Sequence, residues 1–121
     1  SSDVCSSDLG QRVAFQALGR IYVQNATNGT PQRLTPASFT PLEYAPAWSP
    51  DGQWVAFVSI DDGNRMQLWK VSAAGGAPVK LSSEAADFVD PVWSPDGRSV
   101  VVVATLAMWV RPVHLVLEVQ E

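Results

Sequence analysis

Ser49 and Asp51 stand two residues apart, and the same pair returns as Ser94 and Asp96. A hydroxyl beside a carboxylate is part of a hydrolytic constellation, because the hydroxyl becomes a nucleophile when a base takes its proton. Neither serine has a base within sequence reach. A serine hydrolase would need G-x-S-x-G and a His, and the chain carries no such elbow. A metal-dependent hydrolase would need H-x-H with further nitrogen and carboxylate ligands converging. The chain has one His, His114, which reads more simply as a strand residue. Asp61, Asp62 and Asn64 lack the calcium-loop spacing D-x-[DN]-x-[DN]-G, and D-D-G-N is a good turn by itself. Cys5 is the only thiol, so a disulfide within the chain and a multi-thiolate zinc site are excluded. The expectation is no catalytic, metal or cofactor-binding residue. Ser and Asp recur here because they build a turn.

That turn lies inside a longer repeat. Trp48-Ser49-Pro50-Asp51-Gly52 returns as Trp93-Ser94-Pro95-Asp96-Gly97 at an offset of 45. GTPQRLT (29–35) overlays GAPVKLS (76–82) at an offset of 47, and GQRVAF (10–15) overlays GQWVAF (52–57) at an offset of 42. Periods of this size mark solenoids and propellers. The units run 10–35, 44–82 and 89–121.

Each unit reads as strands joined by tight turns. In the middle one, 44–49 is a strand. Then Pro50 presets φ, Asp51 caps the turn and Gly52 takes the left-handed position. Residues 54–59 and 67–72 are the next strands, and a more polar fourth runs over 78–81. Four antiparallel strands in about 40–45 residues make a propeller blade. VAFV (55–58) and VVVV (100–103) do not alternate, so both of their faces should be covered, as neighbouring blades would cover them. Phe57 lies in the first of these runs. Trp48 and Trp93 are equivalent positions, and Tyr22, Trp69 and Trp109 are read as another set, all expected in the core. Pro46 and Pro91 are placed at the start of an innermost edge strand, where a missing N–H is tolerated. The predicted class is all-β: a partial β-propeller of about two and two-thirds blades. The third unit departs from the pattern after Val110, where VRPVHLVLEVQE replaces the expected G-x-P turn. It can still form a strand, with His114, Val116 and Glu118 on one face.

The totals agree. In 121 residues, 46% are hydrophobic and 17% charged, with five Trp, nine Pro and eight Gly. That supports a packed core of short elements. The net charge is −4, which offers no basic field for nucleic acid. No apolar run approaches the ~18 residues of a membrane helix.

Gly10 occupies the repeat position of Gly52 and Gly97, so SSDVCSSDL (1–9) stands where a strand and S-P-D should be. That string is also the in-frame translation of a common sequencing-library adapter. Residues 1–9 are therefore expected to be an artefact, with natural sequence from Gly10 and a first blade lacking its inner strand.

The pattern P-x-W-S-P-D-G-x-x-[VI]-[AV]-F, followed by L-W-x-V and G-G-x-P-x-x-L, resembles the TolB-like β-propeller repeat over residues 10–110. VAFQALGRIYVQNATNGTPQRLT (13–35) is similar to the propeller preceding the catalytic domain of bacterial amidohydrolases. The repeat also occurs in Tol–Pal proteins and in prolyl-oligopeptidase-like peptidases. The resemblance implies a non-catalytic segment of a longer, exported chain. Its partners would be the remaining blades, a downstream catalytic domain and other proteins, in the periplasm or outside the cell.

Overall fold

The computed structural model describes residues 4–6, 11–25, 29–83, 87–105 and 113–118. Within them, β-branched and aromatic runs bounded by Gly, Pro, Asn and Asp fold as strands. In chain order these are β1 (Val4–Ser6), β2 (Arg12–Ala17), β3 (Arg20–Asn25), β4 (Gln32–Arg33), β5 (Leu42–Trp48) and β6 (Trp54–Ile60). β7 (Met66–Ser72), β8 (Val79–Lys80), β9 (Asp87–Trp93), β10 (Ser99–Thr105) and β11 (Val113–Glu118) follow. They form three sheets, ordered β1-β2-β3-β4, β5-β6-β7-β8 and β11-β10-β9. Every strand pair is antiparallel. The chain is all-β, and the three sheets are blades 1, 2 and 3.

Two apolar seams join the blades. Ala14, Ile21, Val23 and Leu34 of blade 1 pack on Trp48, Val55, Phe57 and Val71 of blade 2. Ala56, Val58 and Leu68 on the other side of blade 2 pack on Phe88, Trp93, Val100, Val102 and Ala104 of blade 3. Val55, Ala56, Phe57 and Val58 are all fully buried because β6 has a blade on each side. Each such Val or Phe contributes about 1.5–3 kcal/mol of burial. Trp48 and Trp93 are 7% and 8% exposed. The Trp93 Nε1–H donates to the Ala47 carbonyl at 2.9 Å, stitching blade 3 to the inner strand of blade 2.

The structure departs from the sequence expectations in four places. Blade 1 does have an inner strand, because Val4, Cys5 and Ser6 pair with Phe15, Ala14 and Val13. A ladder is made of backbone groups, so the open edge of β2 accepts an extended segment that lacks the repeat motif. Pro46 and Pro91 lie inside their strands, not at the start. Each follows a left-handed residue, Ala45 at φ 59 and Asp90 at φ 55, at a break in register. A bulge removes the ladder bond that proline could not make. The position opposite Val102 is filled by Leu115, whereas Phe15 faces Tyr22 and Phe57 faces Trp69. Trp109, read with Tyr22 and Trp69 as one set, lies outside the described residues. Lastly, VVVV is covered on one side only: Val100 and Val102 are buried, but Val101 and Val103 are partly exposed.

Candidate functional site

The two Ser–Asp pairs have the same geometry. Ser49 donates its hydroxyl to Asp51 Oδ1 at 2.6 Å and accepts the Trp54 N–H at 3.0 Å. The same carboxylate oxygen accepts the Gln53 N–H at 3.0 Å. In blade 3, Ser94 donates to Asp96 at 2.6 Å and accepts from Ser99 at 3.1 Å, while Asp96 accepts from the Arg98 N–H at 3.0 Å. Gly52 and Gly97 both sit at φ 74 and donate back to Ser49 and Ser94 at 3.0 and 2.9 Å. That left-handed conformation costs an L side chain about 1–2 kcal/mol. Pro50 and Pro95 begin the two turns. Both carboxylates are held below the usual Asp range, chiefly by the serine hydroxyl and then by the backbone N–H. Serine and aspartate are thus engaged with each other and with the turn backbone. Gly10, the matching position before β2, lies outside the described residues.

Asp61 is used similarly. Its Oδ1 accepts from the Gly63 and Arg65 N–H groups at 2.9 and 3.0 Å, and Asn64 takes φ 59. The Asp61–Asn64 stretch closes the β6–β7 hairpin. Among the described residues no group of three or more His, Cys, Asp or Glu converges as a metal site. His114 lies opposite Val103 in the β10–β11 register.

The main polar cluster is one that the sequence reading missed. Glu43, fully buried, lies at the seam between blades 1 and 2. Its Oε1 accepts the Ile21 N–H at 2.9 Å, and its Oε2 accepts the Thr35 hydroxyl at 2.5 Å. Arg33 and Arg20 bring guanidinium nitrogens to 3.6 and 3.9 Å of Oε2. Both arginines also hold chain carbonyls, Arg33 that of Phe39 at 2.9 Å and Arg20 that of Pro41 at 2.7 Å. In the seam between blades 2 and 3 the repeat solves the same problem differently. The Leu68 N–H goes directly to Ser82 Oγ at 3.0 Å, and Phe88 stands at the position of Glu43. A signal existed in the overlay: a Glu set against a Phe at one blade position.

Two further cations serve the seams. Arg12 donates to the Gly52 carbonyl at 2.6 Å and lies 4.6 Å from the Trp48 ring centroid. Lys70, 3% exposed, places its ammonium 4.0 Å from the Trp54 ring centroid, a cation–π contact in a shielded setting. A groove of about 550 Å³ beside blade 1 is lined by Arg12, Gln24, Asn25, Gln32 and Arg33. Its amides offer donors and acceptors, but both guanidiniums are already engaged in the seam.

Comparison with known proteins follows this architecture. The model of the TolB beta propeller domain family matches residues 7–112. Over 90 residues the chain is 37% identical to the Tol-Pal system protein TolB of Anaeromyxobacter dehalogenans, covering 66% of this chain and 20% of that protein. Over 61 residues it is 43% identical to the uncharacterized peptidase YuxL of Bacillus subtilis, covering 50% of this chain and 9% of that one. The chain therefore spans a fifth or less of these curated relatives. The solved structure of a putative TolB from Agrobacterium tumefaciens superposes with a TM-score of 0.73 at 27% identity, covering 88% of this chain and 39% of that one. With the repeat turns, the four-stranded sheets and the family match in agreement, the chain belongs to the TolB beta propeller domain family.

Proposed function

We propose that the chain is a non-catalytic propeller segment, acting as scaffold and access module of a larger exported hydrolase. The observation that carries this reading is the engagement of Ser49 with Asp51 and of Ser94 with Asp96 inside equivalent turns. The residues best suited to hydrolysis hold the blades instead. The small share of each curated relative that the chain spans supports a longer parent. Export rests on the resemblance to the TolB-like repeat. Residues 1–9 are read as adapter-derived, so β1 stands in for the parent's own inner strand. In the parent, the blades would position partners or restrict entry to a neighbouring catalytic domain.

The class of hydrolase has two readings. An amidohydrolase-like parent rests on the resemblance of residues 13–35. A prolyl-oligopeptidase-like parent, with the propeller as lid, rests on the repeat resemblance, and the identity shared with the uncharacterized peptidase YuxL supports a peptidase parent. A free-standing protein-binding propeller is supported by the Tol-Pal relatives. Sequencing the source gene past both ends tests all three. H-x-H downstream supports the first, G-x-S-x-G the second, and a stop after the last blade the third. A natural strand ending in S-P-D before Gly10 supports the adapter reading, and recovery of SSDVCSSDL from source DNA would overturn it.

A further inference from the structure

Blades 2 and 3 approach the blade before them in the same way. The Glu43 N–H donates to the Gly19 carbonyl at 2.9 Å, and the Phe88 N–H reaches the Met66 sulfur at 3.4 Å. Gly19 and Met66 are matching positions of blades 1 and 2, as are Glu43 and Phe88 in the blades that follow. The apolar parts of the two seams are alike as well. Ala14 and Ile21 in blade 1 correspond to Ala56 and Leu68 in blade 2. The blades laid over them bring Trp48 with Val55, or Trp93 with Val100. Apolar burial is non-directional, so by itself it does not decide which blade follows which.

The polar groups do differ, and on both sides of each seam. In blade 1 the Ile21 N–H is satisfied from the next blade, and Arg20, Arg33 and Thr35 gather round the same Glu43 carboxylate. Their counterparts in blade 2 are Gln67, Lys80 and Ser82. Ser82 accepts the Leu68 N–H at 3.0 Å and donates to Gln67 Oε1, while Lys80 is exposed. Blade 2 thus satisfies its own backbone, and the blade that follows it brings a buried Phe88 ring.

We infer that Glu43 is a pairing key: its carboxylate selects blade 2 as the neighbour of blade 1 and keeps blade 3 out of that place. The inference concerns blade order and rests on the propeller fold, not on the scaffold role. Phe88 in the place of Glu43 would leave the Ile21 N–H and the Thr35 hydroxyl without an acceptor and two guanidiniums without a counter-charge. Glu43 in the place of Phe88 would bury a carboxylate where the Leu68 N–H is already taken and no arginine pair stands ready. Each wrong pairing is penalised, so the order is specified twice. Arrays of similar repeats are prone to misassemble while folding, and a buried polar group is an attested means of fixing register between similar apolar surfaces.

The test uses the 121-residue chain, read by urea unfolding and by recovery of the near-UV circular dichroism of Trp48 and Trp93 after dilution from urea. E43F and F88E are each expected to lower the urea midpoint. Two matched sets are expected to restore most of that loss. E43F/R20Q/R33K/T35S gives the first seam the chemistry of the second, and F88E/Q67R/K80R/S82T does the reverse. Both sets make the two seams alike, so stability returns but fidelity does not: a smaller share of the native signal is recovered on refolding than in the unsubstituted chain. A merely structural Glu43 predicts full recovery once stability is restored. Matched sets that refold as completely as the unsubstituted chain would therefore overturn the inference. So would single variants that keep the original midpoint, or two matched sets that both stay as unstable as E43F and F88E. An unsubstituted chain with no near-UV signal would sink the propeller fold itself.

Discussion

The carboxylate of Glu43 accepts the backbone N–H of Ile21 at 2.9 Å across the seam between blades 1 and 2. The two residues are far apart in sequence, and both are fully buried. Ile21 N–H lies where an apolar seam offers no water, so an acceptor must come from the neighbouring blade. Two guanidiniums keep the charge compensated.

Glu43→Ala is expected to destabilise the fold by about 3 kcal/mol, since it strands the Ile21 N–H, the Thr35 hydroxyl and two arginines together. Equilibrium urea unfolding checks this. A loss under about 1 kcal/mol would show that the cluster is not a working part of the seam.

Gly52→Ala is expected to cost more than Gly97→Ala, although both glycines sit at φ 74. The shared backbone penalty is about 1–2 kcal/mol. A Cβ at Gly52 would also meet Arg12 Nη2 at 3.1 Å, whereas one at Gly97 would meet only the Pro50 Cδ at 3.9 Å. Paired thermal melts of the two variants decide it, and equal losses would contradict the crowding argument.

Leu18→Asn is expected to stabilise the chain by up to about 1 kcal/mol. Leu18 holds φ 52 in the two-residue β2–β3 turn, beside Gly19 at φ 76, and is 96% exposed. Asparagine tolerates this left-handed conformation where leucine is strained. A lower melting temperature for the variant would mean that Leu18 makes a contact worth more than the strain.

Stability is expected to fall below about pH 4. Asp51 and Asp96 have lowered folded-state pKa values, owing first to Ser49 and Ser94. As pH falls, the unfolded chain takes up protons first, so the stability present above the unfolded value is lost as pH drops through the folded one. Both groups are exposed, so the effect is modest. The double variant D51N/D96N should be less stable at neutral pH and show a flatter acid limb in denaturant titrations. An unchanged limb would remove these carboxylates from the acid response.

What the amino-acid sequence determined by itself was local. The bonds in each Trp-Ser-Pro-Asp-Gly turn run between residues at most five apart, so their chemistry is complete within the motif and repeats wherever the motif does. Strand type, blade period and the buried pair Trp48 and Trp93 follow from it. Tertiary structure decided what depended on distant neighbours. Leu42 is 52% exposed while Glu43 beside it is fully buried, an inversion that only a partner 22 residues upstream can cause. Strand register, not the repeat overlay, set Leu115 opposite Val102. β1 formed because a ladder edge recognises backbone, which every sequence carries. The valines of β10 are buried on one face and partly exposed on the other. A sequence can state that a face is apolar, but only the neighbouring blade determines whether that face meets water.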